Sequence, residues 1–153
     1  MPLFRKILVP IDFSACSTAA LDTAAELSKE CDAQLDVLHV LELPHYVVPD
    51  VMVAVPGAGK QTLTEFARRE ASKELRQALE RLETAGFMVN SRVRSGYPRD
   101  EILAVAEEGG YDLIVMGTHG RKGLSHLFLG SVAEQVVRRA CCPVLTIRTK
   151  SKD

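Results

Sequence analysis

The chain of 153 residues carries 19 lysines and arginines against 20 aspartates and glutamates, for a net charge of −1. This balance gives no electrostatic basis for binding nucleic acid or an anionic membrane surface. A hydrophobic share of 46% is ordinary for a globular protein, and no apolar run approaches the roughly 20 residues of a membrane span. We therefore expect a cytoplasmic protein with no nucleic acid or membrane partner, folded as a single domain over 1–153.

Short apolar runs alternate with helical periodicity along the whole chain. Five runs of apolar, often β-branched residues predict strands at 6–11, 35–41, 88–93, 112–116 and 143–147. Apolar residues at three- and four-residue spacing predict helices at 19–31, at 63–85, from Pro98 onward and at 131–139. Strand–helix alternation requires crossover connections, so the pattern predicts a doubly wound α/β fold with a mostly parallel sheet and helices on both faces.

The stretch 42–60 fits neither periodicity, and we predict a flexible loop there. It contains three prolines and six valines or methionines. Loops of this length are uncommon unless they have a function. Two interpretations stay open: an insertion that folds over the sheet edge, or a flap over a ligand or a partner surface.

The four cysteines are predicted to be reduced packing residues. Cys16 and Cys31 lie near opposite ends of one predicted helix, about 22 Å apart at 1.5 Å per residue, which is beyond disulfide reach. Cys141 and Cys142 are adjacent, and a bridge between neighbours would be strained. No cysteine–histidine spacing suits zinc, so we predict no protein-held metal.

Glycines concentrate after the fourth predicted strand, in a G-x2-G-x9-G-S pattern formed by Gly117, Gly120, Gly130 and Ser131. In open α/β sheets, ligands bind beyond the carboxyl ends of the strands. Glycine permits a positive φ and lets a ligand approach the backbone closely. Free N–H groups in such a loop, together with those of the helix that starts at Ser131, can hold an anion, and phosphate is the natural candidate.

Several of these residues also have a purely structural interpretation. Ser131 and Glu134 are spaced as a capping box, which would stabilise the last helix without any ligand. Asp12 either caps the first helix or contacts a ligand at the end of the first strand. His119 could donate to a phosphate or act as an acid or base, although a single loop histidine is more often simply solvated.

Three segments of the chain resemble the universal stress protein family: "VPIDFS", "LHV" and "DLIVMGTHGRKGLSHLFLGSVAEQVVRRACCPVLTIR". The resemblance covers essentially the whole chain, and the glycine motif distinguishes the members of that family that bind ATP. It implies a five-stranded parallel sheet in the order 3-2-1-4-5 with four helices, a Rossmann-like fold of the adenine nucleotide alpha-hydrolase-like type. The strand order would reverse between the first and fourth strands.

Carried over position by position, the resemblance implies a nucleotide site with four parts. Residues 10–12 would line the adenosine end, and the backbone of Val40 would meet the adenine edge. Residues 116–120 would pass the ribose and the phosphates, with Arg121 adding positive charge nearby, and residues 130–132 would hold the phosphates. The implied site residues are Pro10, Ile11, Asp12, Val40, Met116, Gly117, Thr118, His119, Gly120, Arg121, Gly130, Ser131 and Val132.

The sequence favours a binding module over an enzyme. Phosphoryl transfer needs metal ligands and a positioned base or water, and the chain shows phosphate donors and one carboxylate without such groups. Together with the family resemblance, this implies an ATP-dependent regulatory protein of the stress response, with Mg²⁺ held through the phosphates and hydrolysis slow or incidental. The alternatives are a slow ATP hydrolase or autophosphorylating protein, and a dimeric interaction protein that binds no nucleotide.

The last predicted strand is expected to form a homodimer. By the implied strand order, Val144, Leu145, Thr146 and Ile147 lie at an apolar edge of the sheet. Proteins pair or cover such edges because a bare one promotes aggregation. The family resemblance implies antiparallel pairing of this strand across a two-fold axis, whereas the protein partner is not indicated by the sequence.

Overall fold

The structure, a computed structural model, describes residues 2–43, 51–119 and 129–149. The strands are β1 (Lys6–Pro10), β2 (Gln34–Leu41), β3 (Met52–Val55), β4 (Gly59–Thr62), β5 (Val89–Ser95), β6 (Leu113–Gly117) and β7 (Val144–Ile147). The helices are α1 (Ala15–Cys31), α2 (Leu63–Thr84), α3 (Pro98–Glu108) and α4 (Ser131–Arg139). The chain therefore alternates between strands and helices, as the sequence pattern predicts.

Five of the strands form one parallel sheet in the order β5-β2-β1-β6-β7. Counted along the chain, these strands take the order 3-2-1-4-5, so the order expected from the family resemblance is confirmed. The order reverses between β1 and β6, which pair directly through Ile7 with Leu113 and Leu8 with Ile114. This reversal creates the crevice at which ligands bind in open α/β sheets.

Helices cover both faces of the sheet. Alternate residues of β1 point to opposite faces, so Ile7 and Val9 pack with residues of α1 and α2, and Leu8 packs with residues of α3 and α4. All three side chains are at most 1% exposed. The predicted doubly wound architecture follows from these two apolar clusters.

Two local predictions are wrong. Helix α1 begins at Ala15 rather than near residue 19, because Ser14 serves as its N-cap and accepts a hydrogen bond from Ser17 N at 3.2 Å. The predicted loop at 42–60 contains an antiparallel hairpin, in which β3 pairs with β4. Gly57, in its turn, and Gly59, the first residue of β4, adopt positive φ angles of 79° and 74°. Residues 44–50 of that stretch lie outside the described residues.

A buried carboxylate connects β2, β5 and the segment that leads into β6. Asp36 is 7% exposed and accepts hydrogen bonds from Gln34 Nε2 and Asn90 Nδ2, both at 2.9 Å, and from the Tyr111 hydroxyl. Burial alone would raise the pKa of Asp36, but the bonds from Tyr111, Gln34 and Asn90 outweigh it and lower the pKa below 3.8. Burial and the bond to Asp36 raise the pKa of Tyr111 to about 12.

Replacing Tyr111 with Phe should lower the free energy of unfolding at pH 7 by about 1.5–3 kcal/mol, because the Asp36 carboxylate loses a donor. The stability difference between the two proteins should have its full size above pH 3.8. It should shrink as the pH falls through the native pKa of Asp36, which lies below that value. It should also shrink as the pH rises from 10.0 to about 12, where the native phenol ionises. Urea unfolding of both proteins across this range measures the difference, and a difference that does not vary with pH would contradict the assignment.

Candidate functional site

The carboxyl ends of β1 and β6 meet at one edge of the sheet, where the strand order reverses. Residues 10–12 stand at the end of β1, and Thr118 and His119 directly follow β6. The sequence-predicted residues at these two strand ends are therefore brought together. Gly120 and Arg121 lie outside the described residues, so their predicted roles stay predictions.

The start of α4 is attached directly to the end of β6. Gly130 N donates to Thr118 O at 2.7 Å. A Cβ added to Gly130 would lie 2.8 Å from the same Thr118 oxygen, closer than real Cβ contacts come. Gly130 is therefore required because two backbone segments touch, and its φ of −60° shows that a positive φ is not the reason.

Gly117 has the same kind of explanation at the other side of the crevice. A Cβ at Gly117 would lie 2.7 Å from Cys16 Cβ and 2.8 Å from Cys16 C, in the first turn of α1. The helix packs directly against the end of β6. The prediction that the motif glycines serve positive φ or ligand approach is thus incomplete, since these two are required by contacts within the protein.

The predicted capping box at Ser131 is wrong. The N-cap of α4 is Gly130, Ser131 is the first residue inside the helix, and no side chain among the described residues caps this end. Glu134 N donates to Gly130 O at 2.9 Å, which is the first bond of the helix itself. Within the described part of the chain, Ser131 N and Val132 N have no acceptor, so they can donate to an acceptor that comes from outside the helix.

The Cys16 thiol lies between two threonines, one directly after β6 and one shortly after β7. Its Sγ lies 3.2 Å from Thr149 Oγ1 and 4.0 Å from Thr118 Oγ1. Burial alone would raise the pKa of Cys16, but hydrogen bonds with Thr149, the His119 backbone and Thr118 outweigh it and lower the pKa below 9.0. None of the four cysteines forms a disulfide in the structure, but the predicted packing role holds fully only for Cys16, which is buried, whereas Cys141 is exposed.

A tight turn follows β1. Asp12 Oδ1 accepts from Ser14 N at 3.0 Å, so its carboxylate orients the entry to α1, as one of the two sequence interpretations proposes. Phe13 has a φ of 65°, which is a true outlier for a bulky residue. Its ring packs at 4.5 Å on the His39 imidazole, which holds it there. Sequence reasoning missed both Phe13 and His39, because no local pattern marks a positive φ at phenylalanine.

His39 also takes the acceptor that the Val40 N–H would use in the sheet, the carbonyl oxygen of Ile11. In the parallel ladder, Ile11 N donates to Leu38 O at 2.8 Å, and the next bond would run from Val40 N to Ile11 O. His39 Nδ1 donates to Ile11 O instead, at 2.8 Å. Strand alternation therefore turns the N–H and C=O of Val40 toward the space beyond the end of β1.

The side chains of several predicted site residues are part of the core. Pro10 is buried, Ile11 and Met116 are 6% and 5% exposed, and Met116 packs with residues of α3 and α4. These residues can reach a ligand only through backbone atoms or small exposed surfaces. Thr118 Oγ1 lies 2.9 Å from His119 Nδ1, which places a hydroxyl and an imidazole side by side next to the crevice.

The described part of the chain contains one cavity beside the crevice and another away from it. One of ≈ 150 Å³ lies between α1 and α2 and reaches the crevice at Ile11 and Phe13. The other, of ≈ 320 Å³, lies between α2 and β5.

Among the described residues, no helix is long and apolar enough to cross a membrane.

Replacing Gly130 with Ala should destabilise the protein by about 1–3 kcal/mol, the usual range when extra atoms enter a packed site. The added methyl group would press on Thr118 O, 2.8 Å away. Ser131→Ala is the matched control and should cost less than about 0.5 kcal/mol, because its hydroxyl caps nothing. Urea unfolding compares the two variants. Wild-type stability of Gly130→Ala would show that α4 can move away from β6 at no cost.

Known proteins of one family are similar to this chain over almost its whole length. Residues 3–148 match the model of the universal stress protein family. Universal stress protein YxiE of Bacillus subtilis is 36% identical over 148 residues, which span 95% of this chain and 100% of that protein.

Solved structures of universal stress proteins share the fold of this chain. Universal stress protein UspA from Lactobacillus plantarum superposes with a TM-score of 0.77 at 28% identity and covers 94% of this chain and 97% of its own. A universal stress protein solved in complex with cAMP gives a TM-score of 0.71 at 25% identity, covering 96% of this chain and 99% of its own. The chain belongs to the universal stress protein family.

Proposed function

We propose that this protein binds ATP in the crevice between the ends of β1 and β6 and acts as a nucleotide-dependent regulatory module of the stress response. The observation that carries the proposal is the bond from Gly130 N to Thr118 O at 2.7 Å. It holds the uncapped start of α4 beside the point where the strand order reverses. Backbone amides and the helix dipole together favour a phosphate at such a place.

The phosphates would be bound from α4. Ser131 and Val132 are the first residues of the helix, and their N–H groups have no acceptor within it. His119, and in the sequence Gly120 and Arg121, lie between the strand end and this helix. Within the described residues no cluster of histidine, cysteine and carboxylate side chains could hold a metal ion, so Mg²⁺ would be bound mainly by phosphate oxygens.

The adenosine would lie across the ends of β1 and β2. The Val40 backbone offers one donor and one acceptor beyond the end of β1, which suits the edge of an adenine ring. Asp12 Oδ1 is engaged by Ser14 N at 3.0 Å, which fixes the carboxylate and leaves its second oxygen for a ribose hydroxyl. Pro10 and Ile11 would contact the nucleoside from the strand end.

Similarity to a nucleotide-bound relative supports the proposal. The universal stress protein in complex with cAMP shares the fold over 96% of this chain, and cAMP contains the same adenosine unit as ATP. A regulatory role, rather than an enzymatic one, is proposed because the described residues around the crevice supply donors to phosphate and one carboxylate. Turnover of ATP should accordingly stay below roughly 1 s⁻¹, the low end for enzymes.

Ser131→Pro should weaken MgATP binding about tenfold or more without unfolding the protein. Proline is favoured at the first helical position, and Gly130, with φ −60° and ψ 154°, has the extended backbone that must precede it. The change removes one amide donor to a charged phosphate, a loss of about 1.5–3 kcal/mol.

Calorimetric titration of wild type, Ser131→Pro and the amide-retaining control Ser131→Ala tests this, with NADH and FAD as comparison ligands. We expect wild type and Ser131→Ala to bind ATP equally and well ahead of the dinucleotides. Absence of ATP binding by the wild type, with or without Mg²⁺, would overturn the proposed function. Equal binding by all three proteins would show instead that the phosphates do not use this amide.

The proposed homodimer would pair β7 with its copy in a second chain. Within the described sheet, β7 has a strand on one side only. Thr118 N donates to Ile147 O at 3.0 Å, so the odd-numbered residues of β7 turn their backbone groups toward β6. Val144 and Thr146 therefore present theirs to the open edge, where an antiparallel copy could pair with them.

Thr146→Pro should convert the dimer to a monomer, because it removes an outward N–H that serves pairing between chains but none within the sheet. Thr146→Val keeps that amide and should remain dimeric. Light scattering at micromolar concentration distinguishes the two. A wild-type monomer, or a Thr146→Pro variant that stays fully dimeric, would rule out this interface.

A further inference from the structure

A polar groove separates α2 from β5, on the opposite side of the described sheet from β7. Its volume is ≈ 320 Å³, and it lies away from the proposed nucleotide crevice. Residues of the helix and of the strand line it: Arg68, Ser72, Leu75, Arg76, Leu79, Glu83, Ser91, Arg92 and Val93. None of these residues belongs to the site described above, so the groove needs its own explanation.

One wall of the groove is a stripe of donors on α2. Arg68, Ser72 and Arg76 follow one another at four-residue spacing, which places them along one side of the helix. Below them, Leu75 and Leu79 are 3% and 2% exposed and form an apolar floor. The groove thus combines two guanidinium groups and a hydroxyl with a hydrophobic base.

The other wall is the unpaired edge of β5. Gly96 N donates to Leu41 O at 3.1 Å, so the even-numbered residues of β5 turn their backbone groups toward β2. Ser91, Val93 and Ser95 therefore present theirs to the outside. Within the described sheet, β5 is a terminal strand. This edge is a template on which another extended chain can pair.

Arg68 occupies part of that edge. Its Nη1 donates to Val93 O at 3.2 Å, and its Nη2 donates to Ser95 Oγ at 3.0 Å. A guanidinium therefore stands where the amide of a neighbouring strand would otherwise donate. An incoming strand could replace this bond with a backbone one and leave the Arg68 guanidinium free to pair with a carboxylate.

The charge of the groove favours an acidic ligand. Arg76 makes no hydrogen bond or ion pair with any residue that the structure describes. Glu83 is the single acid among the lining residues. Arg92 adds positive charge from the other face of the sheet. The side chains of Asn90 and Arg94, two residues to either side, lie on that face and bond to Asp36 and Glu101. Three arginines and one glutamate therefore line the groove, although the whole chain carries −1.

We propose that the groove binds an extended acidic segment of a partner protein, which adds a strand to the edge of β5. Arg68 and Arg76 are eight residues apart, or about 12 Å along the helix. In an extended strand, residues four apart lie about 13 Å from each other on the same face. Carboxylates at positions i and i+4 of the segment therefore match the two guanidinium groups, while its backbone pairs with Ser91 and Val93.

Two short peptides with blocked ends test the spacing directly. Both contain the same threonines, valines and two glutamates, but the glutamates are four positions apart in one and three apart in the other. The first presents both carboxylates on one face of a strand, and the second presents them on opposite faces. Fluorescence anisotropy with labelled peptides, in nucleotide-free protein at low salt, should show at least tenfold tighter binding of the first peptide.

Two variants separate the contributions of charge and backbone. Arg76→Glu should weaken the first peptide at least tenfold, whereas Arg99→Glu, the same charge change at an exposed arginine on α3, should leave its affinity within twofold. Ser91→Pro removes an outward N–H without touching the pairing with β2 and should also weaken the peptide. Melting curves check that each variant is folded, and slowed hydrogen exchange at Ser91 and Val93 reports the added strand.

Several results would overturn the proposal. Equal affinity for the two peptides would mean that spacing is not read, and equal losses in Arg76→Glu and Arg99→Glu would reduce the effect to overall charge. Binding without slowed exchange at Ser91 and Val93 would exclude strand addition. These measurements use no ATP, so their failure leaves the proposed nucleotide site untouched.

Discussion

The contact between the start of α4 and the end of β6 is the constraint on which the candidate site depends. Gly130 N and Thr118 O are 2.7 Å apart, and the Cβ position of Gly130 lies 2.8 Å from the same oxygen. Any side chain at Gly130 would separate the helix from the strand. Because this position is glycine, the positive end of the α4 dipole lies beside the reversal of strand order, which is where a phosphate would bind.

The sequence predicts which residues meet at the crevice, but it does not predict why two of its glycines are needed there. The strand order and the motif direct attention to the ends of β1 and β6, and the structure brings Asp12, Thr118 and Gly130 to that edge. The reason for Gly117 could not be read from spacing, because it is the approach of Cys16, a residue 101 positions earlier in the chain. A contact between distant segments leaves no local signature.

Two segments with the capping-box spacing show how tertiary contacts override a local pattern. Thr62 and Glu65 have the spacing of a capping box and form one in full, with Glu65 N donating to Thr62 Oγ1 at 3.1 Å. Ser131 and Glu134 have the same spacing but form none, because α4 takes Gly130 as its N-cap. The anchor to Thr118 shifts the start of the helix by one residue. Among the described residues, the shift leaves Ser131 N and Val132 N without a capping side chain, and the proposed phosphate would take the place of that cap.

Thr118 also connects the crevice to the edge strand β7. Its carbonyl accepts from Gly130 N at 2.7 Å, and its amide donates to Ile147 O at 3.0 Å. Its side chain lies beside Cys16, whose thiol reaches Thr149 at 3.2 Å. A ligand that moved the start of α4 would therefore act on β7 through a single residue. If the proposed nucleotide binds at α4 and β7 pairs two chains, the backbone of Thr118 would connect the two events directly.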